Sequence, residues 1–277
     1  MTEEESKYQL SRDYLASGRL TAQHYLILRR SGWLLHPEIA SAVGGRTDLA
    51  IADLACGNAI WALDMASEFP DAAVVGMDIS TQQFPTRASW PHNLSLETHD
   101  MFQAVPEKYV GRFDVVHIRL VLAAVYSQDK DRLLQNVLTL LKPGGYIQWT
   151  EALLPVFISP IELSASSVFR QPSAIETQCR KLMGGSAWLA QLHDEFQARG
   201  LTNTQRIRIP LVPWLSKQDN DNTLGVMDDI LRSMQTRAPK AVVDEHRAII
   251  EETVGEMGQG RMFFTNYYTA IGRSQVE

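Results

Sequence analysis

LAIADLACGNAIWALDMASEFPDAAVVGMD, residues 49–78, is the stretch that decides the fold. Its apolar run LAIADL, bounded by turn residues, predicts a buried strand. A helix is predicted from Ile60 to Phe69, where Pro70 ends it, and AAVVGMD predicts a second strand. A strand, a tight turn, a helix and a second strand form the repeating unit of a parallel sheet.

The same alternation continues through the first half of the chain. LSLETHD and FDVVHIRLV predict a third and a fourth strand, and the apolar run of the latter is typical of a sheet that is covered on both faces. Residues 129–141 have apolar side chains at helical spacing, KPGG ends that helix, and YIQWTE predicts a fifth strand. We therefore predict the α/β class, with a doubly wound parallel sheet.

The pattern changes after Pro155. Residues 155–200 are predicted to be mostly helical, and QRIRIPLVPWL predicts a strand that continues into a proline-broken loop. Residues 222–255 are helical again, with an interruption near RAPKA, and GRMFFTNYYTAIGR predicts an aromatic closing strand. The predicted division is a helical N-terminal cover over 1–45, a core over 46–154, a helical substrate cap over 155–260 with one core strand near 205–212, and a closing strand over 261–277.

Composition and charge narrow the class of protein. The chain has 277 residues and a formal net charge of −6 without a long basic run, which disfavours nucleic acid as a partner. No apolar run reaches the ~20 residues that span a bilayer, and the acidic start MTEEESKYQL is unlike a signal or transit peptide. Two cysteines, Cys56 and Cys179, do not suggest a disulfide framework, so a cytoplasmic location is expected. No residues have metal-ligand spacing, and no metal is predicted.

The turn after the first strand is the expected binding site, because ligands of open α/β sheets bind beyond the carboxyl ends of the strands. A dinucleotide site needs G-x-G-x-x-G there, but residues 53–59, DLACGNA, contain one glycine. Asp53 would repel a pyrophosphate and attract an ammonium group. Asp78 ends the second strand, where an acidic side chain accepts hydrogen bonds from ribose hydroxyls. A ribose joined to an amino acid, without phosphate, describes S-adenosylmethionine.

Each candidate residue also has a structural interpretation. Asp53 alone could cap the following helix, and Asp78 alone could be a turn residue, but the two positions together favour cofactor contact. Asp100, at the end of the third strand, is open to either interpretation. His117, inside an apolar strand, is typical of a core histidine. Glu151 ends the fifth strand and could face the reaction centre or solvent.

The successive motifs resemble those of class I S-adenosylmethionine-dependent methyltransferases. They are IADLACGNAIWALDMASEFPDAAVVGMDIS, LSLETHDMF, FDVVHIRLVL and LLKPGGYIQWTE. The segment YLASGRLTAQHYLILRRSGWLLHPEI is similar to the N-terminal part of fungal secondary-metabolism methyltransferases. The resemblance covers roughly the first 155 residues and the closing YYTAIGR. It implies a Rossmann-like, seven-stranded, mostly parallel sheet with a helical N-terminal cover and helical cap insertions, and S-adenosyl-L-methionine as the cofactor.

The resemblance also implies a set of site residues. Around the cofactor it implies Asp53, Ala55 and Gly57 at the methionine moiety, Asp78 at the ribose, Ile79 near the adenine, Asp100 and Met101 at the adenine, and Arg119 and Leu120 below the methionine and near the sulfonium. From the N-terminal cover it implies Tyr14, Arg19, Gln23 and His24, of which Tyr14 and His24 join Arg119 as candidate catalytic residues. The chain departs from the family at Ala55 and Ala59, where glycine is usual and the extra methyl groups narrow the turn.

The implied activity is methyl transfer to a small-molecule secondary metabolite by a monomer or homodimer. No evident base is present to activate a hydroxyl, which favours a thiol acceptor, since a thiol is partly ionised at neutral pH. S-methylation is the first hypothesis, by resemblance to fungal enzymes that methylate reduced epidithiodioxopiperazines such as gliotoxin dithiol. The alternatives are O- or N-methylation of a polyketide or peptide, a methyltransferase-like regulator with a protein partner, and a pericyclase that uses the cofactor's charge.

Overall fold

A computed structural model of the chain describes residues 10–158, 187–260 and 262–276. In this part of the chain seven strands form one sheet in the order β3-β2-β1-β4-β5-β7-β6. The first five strands pair in parallel, and β7 is antiparallel to both of its neighbours. The predicted mostly parallel, doubly wound sheet is therefore confirmed. The strands are β1 Ala50–Leu54, β2 Ala73–Asp78, β3 Leu94–Thr98, β4 Phe113–Arg119, β5 Leu141–Ile158, β6 Thr202–Arg208 and β7 Met262–Arg273.

Helices flank the sheet on both faces. Those within the described residues are α1 Tyr14–Ser31, α2 Pro37–Val43, α3 Ile60–Glu68, α4 Lys130–Leu140, α5 Leu192–Ala198, α6 Ser216–Met234 and α7 Lys240–Gly258. The helices predicted over 60–69 and 129–141 are confirmed to within one residue at each end. The interruption predicted near RAPKA separates α6 from α7. Helix α1 is capped by Asp13, whose side chain accepts a hydrogen bond from the Ala16 amide, and by Gly32, which follows its last residue in the left-handed conformation.

The alternation of side chains along β1 divides the core into two layers. Ala52 and Leu54 pack with α4 and α5 on one face, whereas Ile51 packs with α2 and α3 on the other. The chain continues from β1 to β2 and β3 on one side and returns to β4 on the other side. The carboxyl ends of β1, β2 and β4 consequently meet at one edge, at the point where the strand order reverses.

The fifth strand differs from its prediction. YIQWTE is part of β5, but the strand continues through Pro155 to Ile158 and pairs with β7 as far as Met262. The expected change to helix at residue 155 is therefore wrong for residues 155–158. An antiparallel partner accounts for the difference, because β7 supplies a ladder along which β5 extends beyond the parallel part of the sheet. The remaining predicted helical residues from 159 to 186 lie outside the described residues.

A buried ion pair fixes α1 to the second half of the chain. Nη1 of Arg30 donates to both carboxylate oxygens of Asp219 at 3.0 Å, and the same side chain donates to the carbonyls of Pro210 and Thr265. Both charged side chains are fully buried. Burial raises the pKa of Asp219 to about 6 although the Arg30 charge opposes this shift. The predicted N-terminal helix thus lies against α6 and over the carboxyl edge of the sheet.

Candidate active site

The turn after β1 has an unusual backbone. Ala55, Gly57 and Ala59 all have left-handed dihedrals, with φ of 59°, 57° and 61°. This conformation costs a residue with a side chain about 1–2 kcal/mol, and it persists where surrounding contacts hold it. Here the Cys56 amide donates to the Met77 carbonyl at 3.0 Å and the Gly57 amide donates to Asp78 at 2.8 Å. The turn is therefore held in place by the end of β2.

Asp78 connects the turn to the predicted ribose position. Its Oδ2 accepts from the Gly57 amide, and its Oδ1 accepts from the Ser80 amide at 3.1 Å. Burial raises the pKa of Asp78, while these two hydrogen bonds and the charge of Arg12 act in the opposite direction. A carboxylate has about four lone-pair positions, so two acceptor positions remain for a diol. Ile79 follows directly and is half-buried.

Asp53 points to a partner inside the protein. Its Oδ1 lies 2.8 Å from Nδ1 of His117 on the neighbouring strand β4, and both side chains are almost completely buried. The imidazole stacks on Trp61 of α3 with 3.7 Å between the ring centroids. Burial lowers the pKa of His117, which favours the neutral ring. The core-histidine interpretation of His117 thus agrees with the structure, and contact between Asp53 and a methionine ammonium stays a prediction.

His24 of α1 bridges two charged residues. Its Nδ1 lies 3.1 Å from both terminal nitrogens of Arg119, and its Nε2 lies 2.9 Å from Oδ2 of Asp64. Because Arg119 can only donate, Nδ1 accepts and Nε2 carries the proton that is shared with Asp64. Burial, followed by the Arg119 charge, lowers the pKa of His24 to about 4. Both ring nitrogens of His24 thus have hydrogen-bond partners. The structure brings the predicted catalytic residues His24 and Arg119 into direct contact, and their catalytic roles stay predictions.

The other predicted cover residues lie in different surroundings. Tyr14, in the first turn of α1, is 82% exposed. Arg19 forms an ion pair with the buried Asp229 of α6 at 3.4 Å. Gln23 is buried and hydrogen-bonds the hydroxyl of Tyr267. The structure thus brings Arg19, Gln23 and His24 against the body of the protein, whereas it does not bring Tyr14 to them.

The turns after β3 and β4 hold the remaining candidates. Asp100 accepts a hydrogen bond from the Phe102 amide at 2.9 Å, a local turn contact, and Met101 is 8% exposed within the core. Leu120 has a φ of 57°, which is rare for a leucine. Strained residues of this kind cluster at functional sites. A role for Leu120 beside a ligand remains a prediction with this local support.

Two contacts of the turn were not predicted from the sequence. Nδ2 of Asn58 donates to the Ser17 carbonyl at 3.0 Å and to the Thr21 hydroxyl at 2.9 Å. Asp64 reaches His24 from the first half of α3. Both residues hold α1 against the turn and the helix that follows it. In the sequence, only the position of Asn58 and Asp64 near the turn pointed to them. Their contacts with α1, about forty residues earlier in the chain, depend on how the helices pack.

A small cavity lies between α1 and the sheet, beside His24, Trp61, His117 and Arg119. Its volume of about 10 Å³ is close to the room that one water molecule needs. The cavity therefore belongs to the buried polar cluster and is not the binding place of a nucleoside. Among the described residues no three His, Cys, Asp or Glu side chains group together as metal ligands, and no helix has the length and apolarity for crossing a bilayer.

The residues at the sheet edge fit S-adenosylmethionine. Asp78 offers acceptor positions for ribose hydroxyls, and the side chains of Ala55, Gly57 and Ala59 are small enough to let a ligand approach the backbone. A Cβ atom added at Gly57 would lie 3.1 Å from Cδ1 of Leu20, so α1 already occupies the space next to this glycine. The space beside the turn on the side of Gly57 is therefore narrow, because Leu20 of α1 bounds it.

Comparison with known proteins agrees with this fit. Residues 51–145 match the family described as a methyltransferase domain. The N-methyltransferase tcpN of Claviceps purpurea is 38% identical over 143 residues, which are 51% of this chain and 50% of that protein. The secondary metabolism regulator laeA of Coprinopsis cinerea is 34% identical over 99 residues, which are 36% of this chain and 23% of that protein. The chain spans about half the length of the first of these relatives.

A solved structure shares the fold. The plantazolicin methyltransferase BpumL, in complex with a triazolic desmethylPZN analog and SAH, superimposes with a TM-score of 0.53 over 94% of this chain and 90% of that chain. The two sequences are 14% identical, so this likeness concerns the architecture alone. Together, the strand order and the family match show that residues 51–145 form a methyltransferase domain with the class I, Rossmann-like fold.

Proposed function

We propose that the chain transfers a methyl group from S-adenosylmethionine to a nitrogen atom of a small-molecule fungal metabolite. The observation that supports the donor half of this proposal is the 2.8 Å hydrogen bond between Asp78 and the Gly57 amide. It joins the predicted ribose acceptor to the turn that would lie along the methionine moiety. One contact therefore sets the spacing between the two parts of the site.

The acceptor half rests on chemistry and on a relative. The relative tcpN is named an N-methyltransferase. Both ring nitrogens of His24 are occupied, so this residue is not a free base for activating a hydroxyl. A neutral amine or a thiolate attacks without prior help, whereas an aliphatic hydroxyl needs a positioned base. Nitrogen is therefore the proposed acceptor, and a thiol sulfur, the first hypothesis from the sequence, is the competing one.

The protein's part in the reaction is binding and alignment. Bound S-adenosylmethionine supplies an electrophilic methyl group on a cationic sulfur. Asp78 would hold the ribose, Ala55 and Gly57 would lie along the methionine moiety, and α1 would cover the site and exclude water. Alignment of reacting groups accounts for ~7–11 kcal/mol of a barrier in favourable cases. No metal takes part in this proposal.

A substrate panel tests the proposal. The purified protein is titrated calorimetrically with S-adenosylmethionine and S-adenosylhomocysteine, and is then incubated with the donor and matched amide, amine, thiol and phenol metabolites, including reduced gliotoxin. We expect a mass gain of one methylene unit on a nitrogen acceptor. A gain confined to thiols would refute the nitrogen proposal and restore S-methylation. Failure to bind either cofactor form would refute methyl transfer altogether.

A second candidate function is regulatory. The match to the secondary metabolism regulator laeA over 99 residues supports it. In that case the chain would bind S-adenosylmethionine and a protein partner without methylating the small molecules of the panel. Cofactor binding without turnover on all acceptor classes, together with an activity change of secondary-metabolite genes in a deletion strain, would favour the regulator over the enzyme.

A further inference from the structure

Glu151 is a buried carboxyl group at the end of the central part of β5. Its side chain has no exposed surface. Oε1 accepts from the Val121 amide at 3.0 Å and from Nε1 of Trp149 at 2.9 Å. Within the described part of the chain Oε2 has no hydrogen-bond partner. Glu151 therefore is shielded from solvent, forms no ion pair with another described residue, and has a fixed contact with the turn after β4.

That turn contains the strained residue Leu120. The Leu120 amide donates to the Thr150 carbonyl at 2.9 Å, and the next amide, of Val121, donates to Glu151. The two successive amides are thus held by two successive residues of β5, one through its backbone and one through its side chain. Replacing Glu151 would release the amide that follows Leu120 while leaving the backbone contact intact. The left-handed Leu120 thus lies beside two restraints, and strained backbone of this kind persists where surrounding contacts hold it.

Glu151 and Arg119 hold the turn from opposite faces of the sheet. Arg119 and Thr150 line the cavity beside His24, on the face that α1 covers. Glu151 follows Thr150, so its side chain points to the other face, where it bonds Trp149. One short turn is consequently fixed by α1 through Arg119 and by β5 through Glu151.

We propose that Glu151 is a positioning residue of the methyl-transfer site, which acts through the Val121 amide to fix Leu120 beside the reacting groups. This inference rests on the proposed function and on the predicted place of Leu120 near the sulfonium. Glu151 does not touch the substrate in this proposal. It determines the path of the backbone that lies below the methyl donor.

Several groups face this carboxyl. Trp149 faces it from the same strand, Val121 from the turn and Tyr268 from β7, where the register places Tyr268 directly opposite Glu151. The Tyr268 hydroxyl is buried and has no hydrogen-bond partner among the residues that the structure describes, and Arg206 of β6 lies over its ring, 5.0 Å from the centroid. Burial raises the pKa of Glu151 to about 7, against the effect of its hydrogen bonds. Both charge states accept at Oε1, but the ionised one accepts more strongly.

The raised pKa of Glu151 makes the stability of the fold depend on pH. Because the folded pKa is about 7 and the ordinary value is 4.5, the folded protein binds a proton more tightly than the unfolded chain. Ionisation of Glu151 thus destabilises the fold progressively from pH 4.5 up to the folded value, and fully above it. Replacing Glu151 by a neutral group of the same shape removes this loss.

Three variants test the proposal. Glu151→Gln keeps an oxygen acceptor for Val121, Glu151→Leu removes it, and Tyr268→Phe is the matched control that removes a neighbouring polar atom without touching the turn. We expect Glu151→Leu to lower kcat by about 100-fold, the loss typical of a misplaced reacting group, with a smaller change in KM for the acceptor. Glu151→Gln should restore most of kcat and flatten its pH profile near neutrality, and Tyr268→Phe should behave as the parent protein.

Two readouts do not depend on turnover. Calorimetric titration with S-adenosylhomocysteine should give about tenfold weaker binding for Glu151→Leu than for Glu151→Gln, a difference of one lost hydrogen bond to the site backbone. Urea denaturation measures the free energy of unfolding of Glu151→Gln and of the parent at pH 5 and pH 8.5. The difference in favour of Glu151→Gln should be larger at pH 8.5 than at pH 5. If the parent methylates nothing but these two differences appear, the proposed function fails while the positioning role stands.

The inference is overturned by either of two results. A folded Glu151→Leu protein with the parent's kcat and cofactor affinity would show that the Val121 contact does not matter. Equal damage in Glu151→Gln and Glu151→Leu, at equal stability, would mean that the charge itself acts on the substrate. Should Glu151→Leu fail to fold, Glu151→Met, which also removes the acceptor, takes its place and is judged by the same two results.

Discussion

Nδ1 of His24 accepts hydrogen bonds from both terminal nitrogens of Arg119, while Nε2 of the same ring donates to Asp64. A single neutral imidazole thereby connects α1 to β4 and to α3. The ring lies in a fixed tautomer because an arginine can only donate. This arrangement gives His24 a structural role that is sensitive to protonation, and its catalytic role stays a prediction.

The first prediction concerns the pH dependence of this bridge. The pKa of His24 is about 4 in the folded protein against the ordinary value of 6.5, so the unfolded chain takes up the proton first as the pH falls. The stability that the neutral ring contributes is complete above pH 6.5 and is lost towards pH 4, on the order of 3 kcal/mol in total. Urea denaturation at a series of pH values measures this loss.

His24→Gln is the matched control, because an amide also offers one donor and one acceptor without titrating. We expect it to remove most of the slope between pH 4 and 6.5. His24→Ala should lose about 1–3 kcal/mol relative to the parent above pH 6.5, since it leaves Arg119 and Asp64 without this partner, and this loss should shrink towards pH 4. An unchanged slope in His24→Gln would assign the titration to another residue.

The second prediction concerns the left-handed turn. Gly57→Ala places a methyl group 3.1 Å from Leu20 in a backbone conformation that disfavours side chains, and should cost about 1–2 kcal/mol of folding free energy. Ala59→Gly relieves the same kind of strain and should stabilise the fold by about 0.5–1 kcal/mol, because glycine's entropy in the unfolded chain offsets part of the gain. Thermal denaturation of the two variants should therefore shift in opposite directions. Shifts of the same sign would refute the strain at residue 59.

The third prediction concerns Asp78 and the cofactor. Asp78→Ala should weaken binding of S-adenosylmethionine by about 1.5–3 kcal/mol, the range for hydrogen bonds to a charged group. Asp78→Asn keeps one oxygen and should lose less. The exposed Asp71 lies before the same strand, so Asp71→Ala is the control for the change in net charge. Calorimetric dissociation constants that do not differ among the three variants would remove Asp78 from the cofactor site.

The fourth prediction concerns the buried pair of Arg30 and Asp219. Removing one partner leaves an uncompensated charge in the interior, so Asp219→Ala should cost about 3–5 kcal/mol. The double variant Arg30→Met with Asp219→Ala removes both charges and should be more stable than Asp219→Ala alone. Denaturant midpoints of the parent, the single variants and the double variant form the required cycle. Additive losses would mean that the two side chains do not interact.

The sequence predicted the parts of the fold that depend on local periodicity. The strand and helix over residues 49–78 follow from an apolar run and a proline, and their bounds differ little from those observed. The turn chemistry was also visible, because Asp78 and the small residues around Gly57 are close in sequence. The continuation of β5 to Ile158 could not be predicted from the sequence. Pro155 and the mixed residues around it do not indicate a strand, and the pairing with β7 is formed by residues more than a hundred positions away.

The charged contacts of the candidate site depended on packing and could not be read from the sequence. Arg30 and Asp219 are separated by 189 positions, and nothing in the sequence around either residue identifies the other. The same holds for Asp53, whose partner His117 follows from the alignment of β1 with β4. Alanine at residues 55 and 59 was recognised as a departure, but its left-handed backbone became evident only from the dihedral angles.

The two ion pairs of α1 have a mechanical consequence. Arg19 and Arg30 sit one above the other along α1 and each bonds an aspartate of α6, so the two helices are joined at both ends of their contact. Two such links, one at each end, oppose separation of the helices more than either link would alone. Entry of a cofactor past the edge of the sheet would then require a concerted swing of both helices, and loosening either link would speed exchange of the bound molecule.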